Sequence, residues 1–413
     1  MNRYIITRET IKGQEYVISA LYDEKKRMLE VLPEPVGGAS LLGNIYIGKV
    51  ENIVKNLNAA FVKITPDQRC YLPLEELKHP VFTKKVSAKK ELVQGDELLV
   101  QVEREALKTK EPAVTANLSL TGKYVVLTTG NHRIGVSSKL PKEKREHFKE
   151  LLSAEARDYG IIVRTNAANV TEEEVLKELE ELEARYQSLV ESAQFKTCYS
   201  LLYQEPPECL KHLRDLREDM LEEIVTDDPA LFEEVCAEYG IGRDALMTKG
   251  SVPVPVSEVV PKEGVRIRHH DDPGITLSAL YGVSAQLKDA ISERVWLKSG
   301  AYLIIQPTEA MTVIDVNTGK NMAKKEVQEN FLRVNKEAAE EIARQLRLRN
   351  LSGIIVVDFM NLKSEEAKAE LLSHFRAALR NDPVPTQLVD MTKLGLVEVT
   401  RKKVKKSLRE VIG

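Results

Sequence analysis

The sequence predicts a multidomain α/β (α+β) protein in which a small closed β-barrel is set among mixed α/β segments. Three observations carry that expectation. The chain has 413 residues, more than one simple core serves and enough for roughly two to four domains. Residues 43–120 hold five short strand-like runs at close spacing, the pattern of a small barrel. Residues 295–358 read as strand, long helix, strand, the unit that brings two strands parallel.

Composition narrows the class. Apolar residues make up 43% and charged residues 30%, the profile of a soluble globular chain. No apolar run approaches the roughly 18 residues of a membrane helix. The opening MNRYIITRET lacks the apolar core of a signal peptide, so a cytoplasmic location is expected. Cys70, Cys198, Cys209 and Cys236 are scattered with no CxxC pair. Free buried thiols are expected, and structural zinc from these four is not. The net charge of −3 is unevenly spread. Basic clusters at 84-KKVSAKK-90 and 401-RKKVKKSLR-409 are offset by acidic helices such as 172-EEEVLKELEELEAR-185. Such clusters are commonly solvated faces, and they leave a nucleic-acid partner open.

The elements follow in order. Residues 3–32 alternate apolar and polar, with turns at Lys12-Gly13 and near Glu24, and predict a small antiparallel sheet. The runs NIYIGKVENIV, AAFVKI, RCYLPL, ELLVQVER and AVTANLSL supply the five barrel strands, of OB type. Next come a strand pair around 124–129, a helix from about Pro141 to Asp158, the strand 161-IIVRT-165 and a helix from about Thr171. Residues 207–240 read as helical and charged, and 250-GSVPVPVSEVVP-261 as loop or edge strand. A helix near 284–294 leads into the last region.

There, YLIIQP and AMTVID are strands, the second ending at Asp315. From Glu326 to Arg349, Val327, Phe331, Val334, Ala338, Ile342 and Leu346 recur at helical spacing. The apolar 353-GIIVVD-358 is of the kind buried on both faces, and it too ends in aspartate. If the two strands are near neighbours in a βαβ unit, Asp315 and Asp358 converge at the C-terminal edge of one sheet, where open α/β sheets place ligands. Two carboxylates and the Asn317 amide oxygen are hard donors suited to Mg²⁺ with several waters kept. Such a metal polarises a phosphodiester, activates water and stabilises a leaving oxygen. An aspartate after an apolar strand is also a common cap or turn former, and that reading stays open. Other catalytic sets are weaker. His269-His270 lacks metal-site spacing, no GxSxG occurs, and Gly319-Lys320 is followed by Asn321 with no glycine five residues before it, which rules out a phosphate loop.

The run 339-AEEIARQLRLRNLSGIIVVDFMNL-362, preceded by 313-VIDVNTG-319, resembles the RNase E/G family of bacterial endoribonucleases. Similar to that family as well are 43-GNIYIGKVENIVKNLNAAFVKI-64 with 71-YLPL-74, 161-IIVRT-165 and 394-LGLVEVTRKKVKKSL-408. The resemblance implies an RNase H-like domain in two parts, 1–40 and 201–290, an S1-type OB domain at 41–121, a 5′-sensor region at 122–200, and a DNase I-like catalytic domain at 291–413. It implies Mg²⁺-dependent hydrolysis of single-stranded RNA to 5′-phosphate and 3′-hydroxyl ends, in rRNA and tRNA processing and mRNA decay. Asp315 and Asp358 match the metal-binding aspartates, and Asn317 the supporting amide. Phe61 and Tyr71, with Lys110 nearby, match RNA-contacting positions. Arg164, Thr165, Gly122 and Val126 match the pocket for a 5′ monophosphate.

The sequence departs from the family pattern at three places. Ser138-Lys139 stands where two arginines are common, and Pro385 where a further pocket arginine is expected. The CPxCxG zinc motif is absent before Gly413, so a zinc-linked oligomer is not expected, while a homodimer through other surfaces stays open. The shorter RNase G type is the closer comparison. A non-catalytic RNA-binding protein of the same architecture is the runner-up, and retention of both aspartates and the asparagine argues against it. A scaffolding protein, with only the acidic helices in its favour, ranks last.

Overall fold

The computed structural model describes residues 1–37, 40–88, 91–106, 111–153, 157–216, 220–246, 257–261, 264–318 and 327–413. Lys110, the Gly319-Lys320 turn, Lys89-Lys90 of the first basic cluster and most of 250–261 lie outside the described residues. The chain forms two compact units, one made of Met1–Gly37 with Glu218–Gly413, the other of Gly38–Arg217.

The first unit opens with the expected antiparallel meander of β1 (Asn2–Ile11), β2 (Gln14–Tyr22) and β3 (Met28–Pro35). Lys12 and Gly13 both take positive φ, 51° and 83°, the twist a two-residue hairpin needs. At the second turn the Asp23 carboxylate accepts the Lys25 and Arg27 backbone N–H groups.

The second unit contains the barrel. Its strands are β4 (Ile45–Val54), β5 (Ala59–Lys63), β6 (Arg69–Pro73), β7 (Phe82–Lys84), β8 (Glu97–Arg104) and β9 (Ala113–Thr115). Strand order β4-β5-β6-β9-β8 is closed by a β4–β8 pairing, which makes five strands a ring. Val50, Val62, Cys70, Leu72, Val100 and Val114 fill it. Gly48 is required there, since a Cβ would come 2.5 Å from Val62 Cγ1 and 2.8 Å from Val100 Cγ2. The run AVTANLSL, expected as one strand, splits. Thr115 Oγ1 accepts the Asn117 N–H, and Asn117 Nδ2 donates to Glu76, so a local side-chain turn ends β9. The continuation β10 (Ser119–Thr121) joins a separate sheet with β11 (Val125–Thr128), β12 (Ile134–Val136) and β13 (Gly160–Val163). Helices α1 (Lys142–Ser153) and α2 (Glu172–Ala193) pack on that sheet. A Thr171/Glu174 capping box starts α2. Strand β14 (Leu201–Tyr203) returns to pair with β4, and α3 (Glu208–Asp215) closes the unit.

The chain then re-enters the first sheet, and here the sequence reading is corrected. Residues 207–240 are not continuously helical, because β15 (Leu221–Thr226) precedes α4 (Pro229–Glu238). β15 is central, parallel to β1 on one side and to β17 (Arg266–His269) on the other, with β16 (Glu258–Val259) at the edge. Its short apolar run is hidden among acids, and Glu223 is held by Arg3, Arg266 and Arg268. Helices α5 (Leu277–Tyr281) and α6 (Val283–Ile291) follow.

The last sheet has β18 (Arg294–Trp296), β19 (Tyr302–Pro307), β20 (Met311–Asn317), β21 (Gly353–Asp358), β22 (Thr386–Met391) and β23 (Leu396–Arg401), in the order β18-β19-β20-β21-β23-β22. The predicted helix is α7 (Val327–Leu348), joined by α8 (Glu365–Leu379) and a terminal α9 (Leu408–Ile412). β20 and β21 are adjacent and parallel. Strand β21 is not buried on both faces, a second correction. Helices α7 and α8 cover Ile314, Val316, Ile355, Val357, Val397 and Val399 on one face. On the other, Ile354 is 50% exposed and Met311 and Val313 are each 38% exposed. Among the described residues no helix is long and apolar enough to cross a membrane.

Candidate functional site

Parallel pairing places Asp315 directly opposite Asp358. Ile314, Val316 and Val357 beside them point into the core, and alternation along a strand therefore turns both aspartates to the open face. Adjacent strands lie about 4.8 Å apart. Asn317, two residues beyond Asp315, shares that face, and its Nδ2 donates to Asp315 Oδ2 at 2.6 Å. In this arrangement the amide nitrogen of Asn317 aims a carboxylate, rather than its oxygen reaching a ligand. Asp358 is exposed and makes no side-chain hydrogen bond among the described residues.

The pair fits a hard divalent cation. Like charges directly opposite one another on a sheet are destabilising, and a cation between them reverses the sign. Among the described residues no group of three or more His, Cys, Asp or Glu side chains is placed to hold a metal ion. A divalent cation held by these two carboxylates would keep most of its coordination positions for water or other oxygen donors. Across the sheet, Ile304 pairs with Asp315 and Leu396 with Asp358, while Tyr302 pairs with Asn317.

The other expected positions belong to the second unit. Phe61 and Tyr71 are opposite one another on β5 and β6. Their neighbours Ala60, Val62, Cys70 and Leu72 fill the barrel, so both rings stand on its outside, half-buried. The centroids are 6.1 Å apart at 69°, and Arg69 lies over Phe61 at 4.7 Å.

Arg164 follows β13. Its N–H donates to the Tyr124 carbonyl, Nη1 donates to the Gly122 carbonyl at 2.6 Å, and Nη2 pairs with Asp215. The Thr165 hydroxyl shares a 3.0 Å hydrogen bond with Ser137. Val126 pairs with Ile162, itself an exposed apolar side chain. Gly122, Arg164 and the 121–126 turn are thus brought together, with Thr165 beside Ser137 and next to Ser138-Lys139. Pro385 belongs to the first unit, where its carbonyl accepts the Lys402 N–H.

Sequence reasoning missed Glu178. Its carboxylate accepts three successive backbone N–H groups, from Lys123, Tyr124 and Val125, at 2.6, 2.7 and 2.8 Å. A Cβ at position 122 would lie 2.6 Å from the Glu178 carboxyl carbon, so glycine is what lets this clasp close. The available signal was a glutamate on the apolar stripe of α2, three residues after buried Val175 and four before buried Leu182. Cys70 and Cys236 are buried free thiols. Burial pushes the Cys70 thiol up to about 12 and the Cys236 thiol up to about 11, away from thiolate chemistry.

Comparison with known proteins places the chain among relatives of one family. The Ribonuclease E/G family pattern matches residues 119–404. Ribonuclease E of Nostoc sp. is 33% identical over 411 residues, covering 98% of this chain and 57% of its own length. Ribonuclease G of Escherichia coli K12 is 32% identical over 385 residues, 90% of this chain and 75% of its own. Ribonuclease G of Salmonella typhimurium is 31% identical over 388 residues, again 90% and 75%. The chain spans little more than half the length of Ribonuclease E of Nostoc sp. and of Synechocystis sp., 57% and 54%.

Proposed function

The chain belongs to the ribonuclease E/G family, and from that premise we infer a Mg²⁺-dependent endoribonuclease acting on single-stranded RNA. The observation that carries the reading is the register of Asp315 against Asp358 on an open sheet face. In this reading the sheet of β1–β3 and β15–β17 is an RNase H-like domain split by the second unit. The five-stranded barrel is an S1-type RNA-binding domain, the β10–β13 sheet with α1 and α2 a 5′ sensor, and the last sheet a DNase I-like catalytic domain.

Asp315 and Asp358 would hold the metal, and Asn317 keeps the Asp315 carboxylate in one orientation. When bound, Mg²⁺ supplies charge stabilisation and lowers the pKa of a coordinated water. Hydrolysis breaks the bond between phosphorus and the 3′ oxygen, which takes up a proton, so the upstream product ends in 3′-hydroxyl and the downstream one in 5′-phosphate. Phe61 and Tyr71 offer aromatic faces to unpaired bases, which favours single strands with weak sequence preference. The test is an A/U-rich single-stranded RNA incubated with Mg²⁺ or with EDTA, its product ends mapped by a 5′-monophosphate-specific exonuclease. Cleavage only with Mg²⁺, giving exonuclease-sensitive downstream fragments, is expected. Cleavage undiminished in EDTA, or 2′,3′-cyclic ends, would sink the reading.

In the pocket, Arg164 and the Thr165 hydroxyl grip a terminal phosphate, and Glu178 fixes the loop whose Gly122 carbonyl orients the guanidinium. Glu178→Ala removes the carboxylate that accepts three successive N–H groups, so the preference for 5′-monophosphate over 5′-hydroxyl RNA should fall about tenfold, for roughly 1–2 kcal/mol of lost ordering. Cleavage of 5′-hydroxyl RNA should hold its rate. An unchanged preference would show that the clasp does not act on the pocket.

A further inference from the structure

The open face of the catalytic sheet carries an aromatic cluster beyond the carboxylates. Trp296 and Tyr302 are paired across β18 and β19, with ring centroids 5.2 Å apart at 57°. The Arg294 guanidinium lies over both, 4.8 Å from the Tyr302 centroid and 5.7 Å from that of Trp296. Val295 and Leu297 pack into the helix-covered core, and alternation turns Arg294 and Trp296 to the opposite side, the face of the aspartates. Register confirms the placement. Trp296 pairs with Tyr302 and Tyr302 with Asn317, while in the next row Arg294 pairs with Ile304, Ile304 with Asp315, and Asp315 with Asp358.

Trp296 stands 64% exposed on an edge strand of only three residues. A tryptophan that served packing would be buried, and exposed aromatic surface on a sheet edge is a liability unless something covers it. Aromatic faces backed by a guanidinium are what unpaired nucleobases stack on, and the guanidinium adds attraction for the adjacent phosphate. Two strand spacings, about 10 Å, separate Trp296 from Asn317 along the row, so a chain crossing the carboxylates in the strand-to-strand direction passes over the rings.

We propose that Trp296 and Tyr302, with Arg294, form a stacking platform for the bases of single-stranded RNA flanking the scissile bond on the Asp315/Asp358 face. The proposal rests on the ribonuclease reading. The platform binds any base through its π face and sets how firmly a substrate is held rather than how fast it is cut.

Trp296 is the one tryptophan of the chain, so intrinsic fluorescence reports on the site directly and without catalysis. The full-length protein in EDTA is titrated with a ten-nucleotide oligoadenylate and with an abasic ribose-phosphate strand of equal length. Quenching by the first and little by the second is expected. In Mg²⁺, Trp296→Ala should raise KM about tenfold at nearly constant kcat, and Trp296→Phe should restore most of it. Equal quenching by both strands, or KM unchanged in Trp296→Ala while the wild type cleaves normally, overturns the platform and leaves the nuclease intact. Quenching by oligoadenylate in a protein that never cleaves keeps the platform and removes the nuclease reading instead. Emission that shifts with protein concentration and not with RNA assigns the face to a second copy of the chain, and also overturns the proposal.

Discussion

Asp358→Asn is expected to lower the rate of RNA cleavage about a thousandfold, and Asp315→Asn by a similar factor, with folding unaffected. The substitution keeps shape and removes one charge of the two that face each other across β20 and β21. Loss of one anionic ligand withdraws roughly 4 kcal/mol of transition-state stabilisation, which is about three decades in rate. The cost in the metal-free protein runs the other way, since one of two opposed like charges disappears and the thermal midpoint should hold or rise slightly. This pairing of outcomes is diagnostic. A strand-capping aspartate would show the reverse pattern, little change in rate and a lower midpoint. Asn317→Ala should fall between, about tenfold in rate, because it frees the Asp315 carboxylate without removing it. If both aspartate variants cleave within threefold of wild type, the metal site is elsewhere.

The second large effect is on stability. Asp382 and Arg401 form an ion pair that is 8% and 4% exposed. Arg401 Nε donates to Asp382 Oδ2 at 2.7 Å and Nη2 to Oδ1 at 3.3 Å, while Nη1 donates to Asn350 Oδ1 and the Leu351 carbonyl. Asp382 also accepts from the Val384 N–H and the Thr386 hydroxyl. One guanidinium thus ties the end of β23 to the turn before β21 and to the loop leading into β22. Removing one partner strands the other charge in the interior, at about 3–5 kcal/mol. Asp382→Ala and Arg401→Ala should each shift the unfolding midpoint of the first unit, followed by Trp296 fluorescence in urea. The double variant should cost clearly less than the sum, since no lone charge remains. Single variants that lose under about 1 kcal/mol would show the pair to be spectator chemistry.

Legibility in the sequence followed the range of the interactions. Asp315, Asp358 and α7 lie within one βαβ unit, so period and connection rules sufficed to align them. Phe61 and Tyr71 sat on recognisable barrel strands, AAFVKI and RCYLPL. What escaped depends on distant partners. β15 owes its form to β1 and β17, and no local pattern in LEEIVT overrides its acids. Glu178 looked like one more charge on an acidic helix, because its partners are backbone amides fifty-odd positions away. The open face of β21 was illegible for a related reason. An apolar strand does not say how many layers will cover it, and here the uncovered side presents Asp315 and Asp358 rather than a packed layer.

The parallel seam between β1 and β15 also imposes an order in time. Thr7 on β1 meets Asp227, just past β15, across 220 positions. A ribosome adding about 5–20 residues per second reaches β15 roughly 10–40 s after finishing the opening meander. Through that interval the first three strands exist with one edge unsatisfied, while the barrel unit is synthesised whole. A nascent chain of this protein therefore completes its inserted unit first, and its opening strands wait for residues 221–226.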